Sequence, residues 1–153
     1  MPSCLLPIRT DRQWARAIAW TDPLRDLEEQ MDFEQAILAH RHWKDKLSDY
    51  LKKPDGSLSA MEVAKDDKCE LGKWIHGDGA KHAKSPEFQH LRSEHARFHK
   101  AAADVVHKAD SGANVSGETA LGGHSEFAAA STAVVKAIMS LRSKLEKHDL
   151  VSK

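Results

Sequence analysis

The chain is poor in cysteine, in aromatic residues and in net charge. Two cysteines, Cys4 and Cys69, in 153 residues exclude a disulfide framework, so the fold must bury a core of its own. At this length it can, because roughly two-thirds of the unfolded surface is lost on folding. Lysine and arginine number 23 against 23 aspartates and glutamates. That balance excludes the basic footprint of a nucleic-acid binder and the polybasic patch of a membrane-surface protein, so no nucleic acid and no membrane is expected as a partner. No apolar run approaches the ~20 residues of a membrane span. The first residues hold neither a long apolar core nor a small-residue cleavage site, and a cytoplasmic location is expected. Period-two alternation is missing too, which argues against strands. There is no nucleophile–base pair, no glycine-rich phosphate loop and no helically spaced carboxylate pair, and an enzyme is not expected.

What the chain does have is histidine, ten in all, the commonest side-chain metal ligand. It also has helical spacing. Trp14, Ala17 and Ile18 hint at a short early helix. Thr21-Asp22-Pro23 reads as a helix start, with an apolar stripe through Leu24, Leu27, Met31, Phe33, Ile37, His40, Trp43, Leu47, Tyr50 and Leu51 to about Lys52. Pro54-Asp55-Gly56 then turns the chain. Ser59 and Glu62 have the form of a capping box. A second short helix is predicted after Asp66-Asp67, capped by aspartate, with Cys69 in its first turn. Ser85-Pro86-Glu87 opens a helix to about Ala109, with Phe88, Leu91, His95, Phe98, Ala102, Val105 and Val106 as its stripe. A last helix is predicted from Glu118 or Ser125 to Lys147, along Leu121, Phe127, Ala128, Val134, Ile138, Leu141 and Leu145. The expected architecture is an all-α, antiparallel four-helix bundle with a short metal-ligand helix. It spans residues 31–148, between an N-terminal extension (1–30) and a tail (149–153).

Four residues stand out within that frame. His95 and His99 are one helical turn apart and project from one face. His95 falls on its apolar stripe, His99 borders it, and His40 falls on the stripe of the first helix. An interior imidazole must satisfy its ring nitrogens by hydrogen bonds or by a metal. A cysteine near a helix N-terminus is favoured as thiolate, the metal-binding form. Three neutral imidazoles and one thiolate suit tetrahedral zinc, and a filled shell leaves no open position for a hydrolytic water. The same residues admit a bland reading: a buried cysteine packs as a small hydrophobe, His40 can be a satisfied core histidine, and histidines four apart on a helix are common.

The chain resembles the bacterial chemoreceptor zinc-binding (CZB) domain in three elements: His40-Arg-His-Trp43, Cys69-Glu-Leu-Gly-Lys-Trp74 and His95-Ala-Arg-Phe-His99. Their order, their spacing and the Gly-Lys-Trp after the cysteine carry the resemblance, which runs from about Asp32 to about Leu145. It implies a four-helix bundle, often a homodimer, with Zn²⁺ held by His40, Cys69, His95 and His99. It also implies a sensor of zinc, or of oxidants that attack the zinc-bound thiolate. Such domains occur on chemoreceptors and diguanylate cyclases and as standalone proteins. No transducer accompanies this one, so its output is expected through a signalling partner in a chemotaxis or cyclic-di-GMP system, or through its dimer interface. Met31 immediately precedes the matching stretch and is a candidate translation start.

The remaining histidines are given lesser roles. His42 points about 200° around the helix from His40 and reads as exposed. His76, His82, His90 and His148 read as surface or loop residues. His107 and His124 can be read either way, His124 lying near Leu121 and Ala128. Trp43 and Trp74 read as packing around the metal, Gly72 as a close approach, and Glu94, Asp66 and Asp67 as candidates to orient an imidazole, or as ordinary solvated charges. Two alternatives compete with a zinc-binding regulator: a hemerythrin-like iron- or oxygen-binding bundle, which needs more histidines and inward carboxylates, and a structural helical interaction module.

Overall fold

The computed structural model of the chain describes residues 31–152. Among them there is no strand. Helix α1 is Phe33–Lys52, α2 Ala60–Val63, α3 Glu70–His76, α4 Pro86–Asp110, α5 Gly117–Leu121 and α6 Glu126–Val151, with a 3-10 turn at Asp78–His82. The class is all-α, as the helical spacing predicts. Three of the described helices are long: α4 packs along α6, α1 lies against both, and the short α2 rests on α4. No described helix is long and apolar enough to cross a membrane.

Local chemistry sets the helix starts. The Asp32 carboxylate accepts the Gln35 amide at 3.0 Å, and Asp32 itself is extended. The helix expected from Leu24 to about Lys52 therefore has a start of its own at Phe33 among the described residues, and the Leu24 end, the Thr21-Asp22-Pro23 start and the Trp14–Ile18 stretch lie outside them. The reason is competition: Asp32 satisfies an orphan N–H of the next turn better than it would continue a helix. Ser85, with Pro86 behind it, caps α4 through the Phe88 amide. Both candidate starts for the last helix are used. Ser116 caps α5 through Thr119, Ser125 caps α6 through Ala128, and Gly122 separates the two. At Ser59 the capping box does not form, since the serine side chain makes no cap bond. The last helix runs past Lys147 to Val151, so part of the expected tail is helical.

The stripe residues of α4 are all buried, joined by His99, Ala101, Ala103 and Ala109. On α6 the buried positions Phe127, Ala130, Val134, Ala137 and Leu141 step by three and four, a seam that faces α4. Ala128, placed on the stripe from sequence, sits only at its edge. Phe98 and Phe127 meet with ring centroids 5.5 Å apart, and both are almost wholly buried. Each such side chain contributes about 1.5–3 kcal/mol by burial. At the far end, the Tyr50 hydroxyl donates to Asp110 Oδ1 at 2.6 Å and ties the end of α1 to the end of α4. Gly56 and Gly112, at φ +75° and +71°, make the turns that follow α1 and α4. Among the described residues the buried polar side chains are three: His40, His95 and His99.

Candidate metal centre

Three elements bring four donors together. His40 sits on the buried face of α1, and its Nδ1 lies 2.6 Å from the Ala36 carbonyl one turn back. A carbonyl can only accept, so Nδ1 carries the proton. The lone pair is then on Nε2, which is buried and has no hydrogen-bond partner. His99, on α4, is fixed in the same way: its Nδ1 donates to the Val63 carbonyl at 2.8 Å, at the C-terminal end of α2. His95, one turn earlier, is fully buried, with its ring centroid 4.7 Å from that of His99 and 5.3 Å from that of His40. Its Nε2 lies 3.1 Å from Cys69 Sγ, while its Nδ1 is buried without a partner.

Cys69 corrects an expectation. No aspartate caps α3. Cys69 is the N-cap residue, extended at φ −78°, ψ 162°, and its sulfur accepts the Gly72 amide at 3.3 Å. Asp66 is engaged elsewhere, with Oδ1 3.4 Å from His76 Nε2. The thiol pKa lies above its ordinary value because burial outweighs the helix-end amides that pull it down. The thiolate preference expected from a helix start is therefore overridden in the metal-free chain, and a bound cation would have to displace the thiol proton. Gly72 is needed for a steric reason. A Cβ there would stand 1.7 Å from the Asp66 carbonyl oxygen, so only glycine lets the preceding loop close over the first turn of α3.

The four donor atoms all lie within 4.8 Å of one another. Tetrahedral zinc, with Zn–N and Zn–S bonds of about 2.0–2.3 Å, sets its donors roughly 3.3–3.6 Å apart. Sγ stands 3.1 Å from His95 Nε2 and 3.6 Å from His99 Nε2. The residues fit such an ion: three inward nitrogens and a thiol, two imidazoles already held by carbonyls, and a buried nitrogen on His40 with nothing to bind.

Burial holds all three imidazoles neutral. His95 is pushed down to about 2, by desolvation first and then by His99 and His40 beside it. His40 and His99 are also lowered, again chiefly by burial. These folded values lie below the unfolded value of 6.5, so the unfolded chain binds more protons. The associated stability is present above pH 6.5 and is lost progressively as pH falls below it. The metal-free protein is accordingly expected to show a lower urea midpoint at pH 5.5 than at pH 7.5. An unchanged midpoint would contradict the burial of these rings.

Other expectations divide. His42 is exposed, as are His107 and His124, which settles those two away from the core. His82 is half-buried against Trp74, with centroids 6.1 Å apart. Trp43 lies against His99 at 6.5 Å. Trp74 instead packs between Phe33 and Phe88, and so fastens α3 to α1 and α4 rather than covering a ligand ring. None of Glu94, Asp66 and Asp67 is hydrogen-bonded to His40, His95 or His99: Glu94 pairs with Arg97 and Asp66 lies against His76. The orienting groups are the Ala36 and Val63 carbonyls. Ala36 could have been read from the four-residue step to His40, whereas nothing in the sequence points to Val63.

Three histidines and one cysteine that converge within a helical domain form a donor set that could hold a metal ion. Residues 40–106 match the family described as the chemoreceptor zinc-binding domain. The match begins at His40 and takes in all four donors, though it is shorter than the resemblance read from the sequence. Comparison with curated proteins and with solved structures yields no significant match.

Proposed function

We propose that the chain is a zinc-binding regulatory domain in which His40, Cys69, His95 and His99 hold Zn²⁺ and occupancy or thiol chemistry at the site is the signal. The convergence of four donors within 4.8 Å, inside an otherwise apolar core, carries the reading. Zinc there would supply a crosslink between α1, α3 and α4 and would hold the sulfur as thiolate. Cys69 is half-buried, so an oxidant can approach it while water is largely kept from the imidazoles. The donor group contains no carboxylate, which speaks against the hemerythrin-like alternative. The output passes through a homodimer interface or a signalling partner, in the bundle architecture that the family resemblance implies.

Elemental analysis of untagged protein tests this reading. Wild type should carry one zinc per chain, and a Cys69→Ala, His95→Ala double variant little or none. Zinc absent from the wild type even after zinc is added back would leave a structural helical module. With zinc established, oxidant or chelator should shift the assembly state.

A further inference from the structure

The three imidazoles are not equivalent. His40 and His99 each present Nε2 to the centre with the proton fixed on Nδ1 by a carbonyl. His95 has no such acceptor: its Nδ1 is buried and unpartnered, and its Nε2 faces the sulfur at 3.1 Å. An orphaned buried N–H is costlier than an orphaned lone pair. Without metal, the favoured proton arrangement is therefore Nε2–H of His95 donating to Sγ. The thiol proton then has an acceptor in the His99 Nε2 lone pair, 3.6 Å away. Every donor in the cluster is satisfied by that arrangement.

We infer, resting on the zinc reading above, that His95 is the ligand that must be remade for metal. To bind through Nε2 it gives up that proton and takes one at Nδ1, in a buried space with no acceptor. The exchange is neutral for His95, and the net proton released is that of the Cys69 thiol. His40 and His99 bind without rearrangement. Removal of an imidazole's outer partner typically weakens a site 10–100-fold, and His95 starts without one. It is the ligand that limits affinity.

Two-bond ¹H–¹⁵N correlation of the full chain, with chelator and then with zinc, reads the tautomers directly. On zinc addition His95 alone should change from Nε2–H to Nδ1–H, while His40 and His99 stay Nδ1–H throughout. Competition against a colorimetric chelator should then show His95→Ala weakening zinc at least tenfold less than His40→Ala or His99→Ala. Cobalt-loaded His95→Ala should keep its thiolate-to-metal band. A His95 already Nδ1–H without metal would overturn the inference, as would equal losses across three variants that all fold by circular dichroism. Either result leaves the zinc reading standing. A wild type that binds no zinc removes both.

Discussion

Chelation will lower the melting temperature of the zinc-loaded chain by roughly 15 °C. Free zinc at about a thousand times its Kd stabilises a folded state that alone binds it by about 4 kcal/mol. A domain of this size moves by a few degrees per kcal/mol. The structure explains why the metal-free state is disadvantaged. Three imidazoles sit in the core, and two of their nitrogens, His40 Nε2 and His95 Nδ1, have no partner. Each unmet buried polar group costs about 1–3 kcal/mol, and zinc would answer the His40 nitrogen. Differential scanning calorimetry with zinc and with excess chelator measures the shift. Coincident transitions would mean that the core tolerates the cluster unaided and that the site is not a metal centre.

The second large effect is expected at Gly72. In Gly72→Ala the new methyl would meet the Asp66 carbonyl oxygen at 1.7 Å, its carbon at 2.8 Å and Asp67 Cα at 3.1 Å. These are backbone atoms, which cannot swing aside as a side chain can. The loop must lift or the first turn of α3 must tilt, and either displaces the sulfur that caps that turn. Overpacking costs 1–3 kcal/mol and occasionally more; here a loss of about 3 kcal/mol is expected, with zinc affinity reduced at least tenfold. Gly117→Ala is the matched control. Nothing lies within 4 Å of its added methyl, and the change should stay within about 1 kcal/mol. Denaturant midpoints and chelator competition on both variants check the contrast, and equal behaviour would refute the close approach at Asp66.

Much of this is legible in the sequence, because long helices announce themselves by periodicity and caps. The stripe of α4 and the inward placement of His40, His95 and His99 follow from three- and four-residue steps. Local competition blurred the ends. Asp32 and Ser125 prefer capping to continuing a helix, and the sulfur of Cys69 displaced the aspartates from a role they normally fill. Contacts made by backbone atoms across the fold left no trace in composition. The Val63 carbonyl that orients His99 belongs to a residue whose side chain is merely apolar, and the Asp66 carbonyl over Gly72 is equally silent. The surface histidines His107 and His124 could not be placed because a single residue at a stripe's margin carries no period.

The neighbouring placement of His95 and His99 on α4 bears on how the chain assembles. Those two rings need only one turn of helix to face the same point, whereas His40 and Cys69 reach it only after two long stretches of chain have closed. Loop closure is paid once per stretch and grows slowly with length. A cation caught first by the α4 pair would meet the sulfur and the third imidazole as intramolecular events, at the high effective concentration that tethering gives. With a cation held there, the helix that carries two donors would also be the natural nucleus, around which the amino-terminal half of the domain would be gathered.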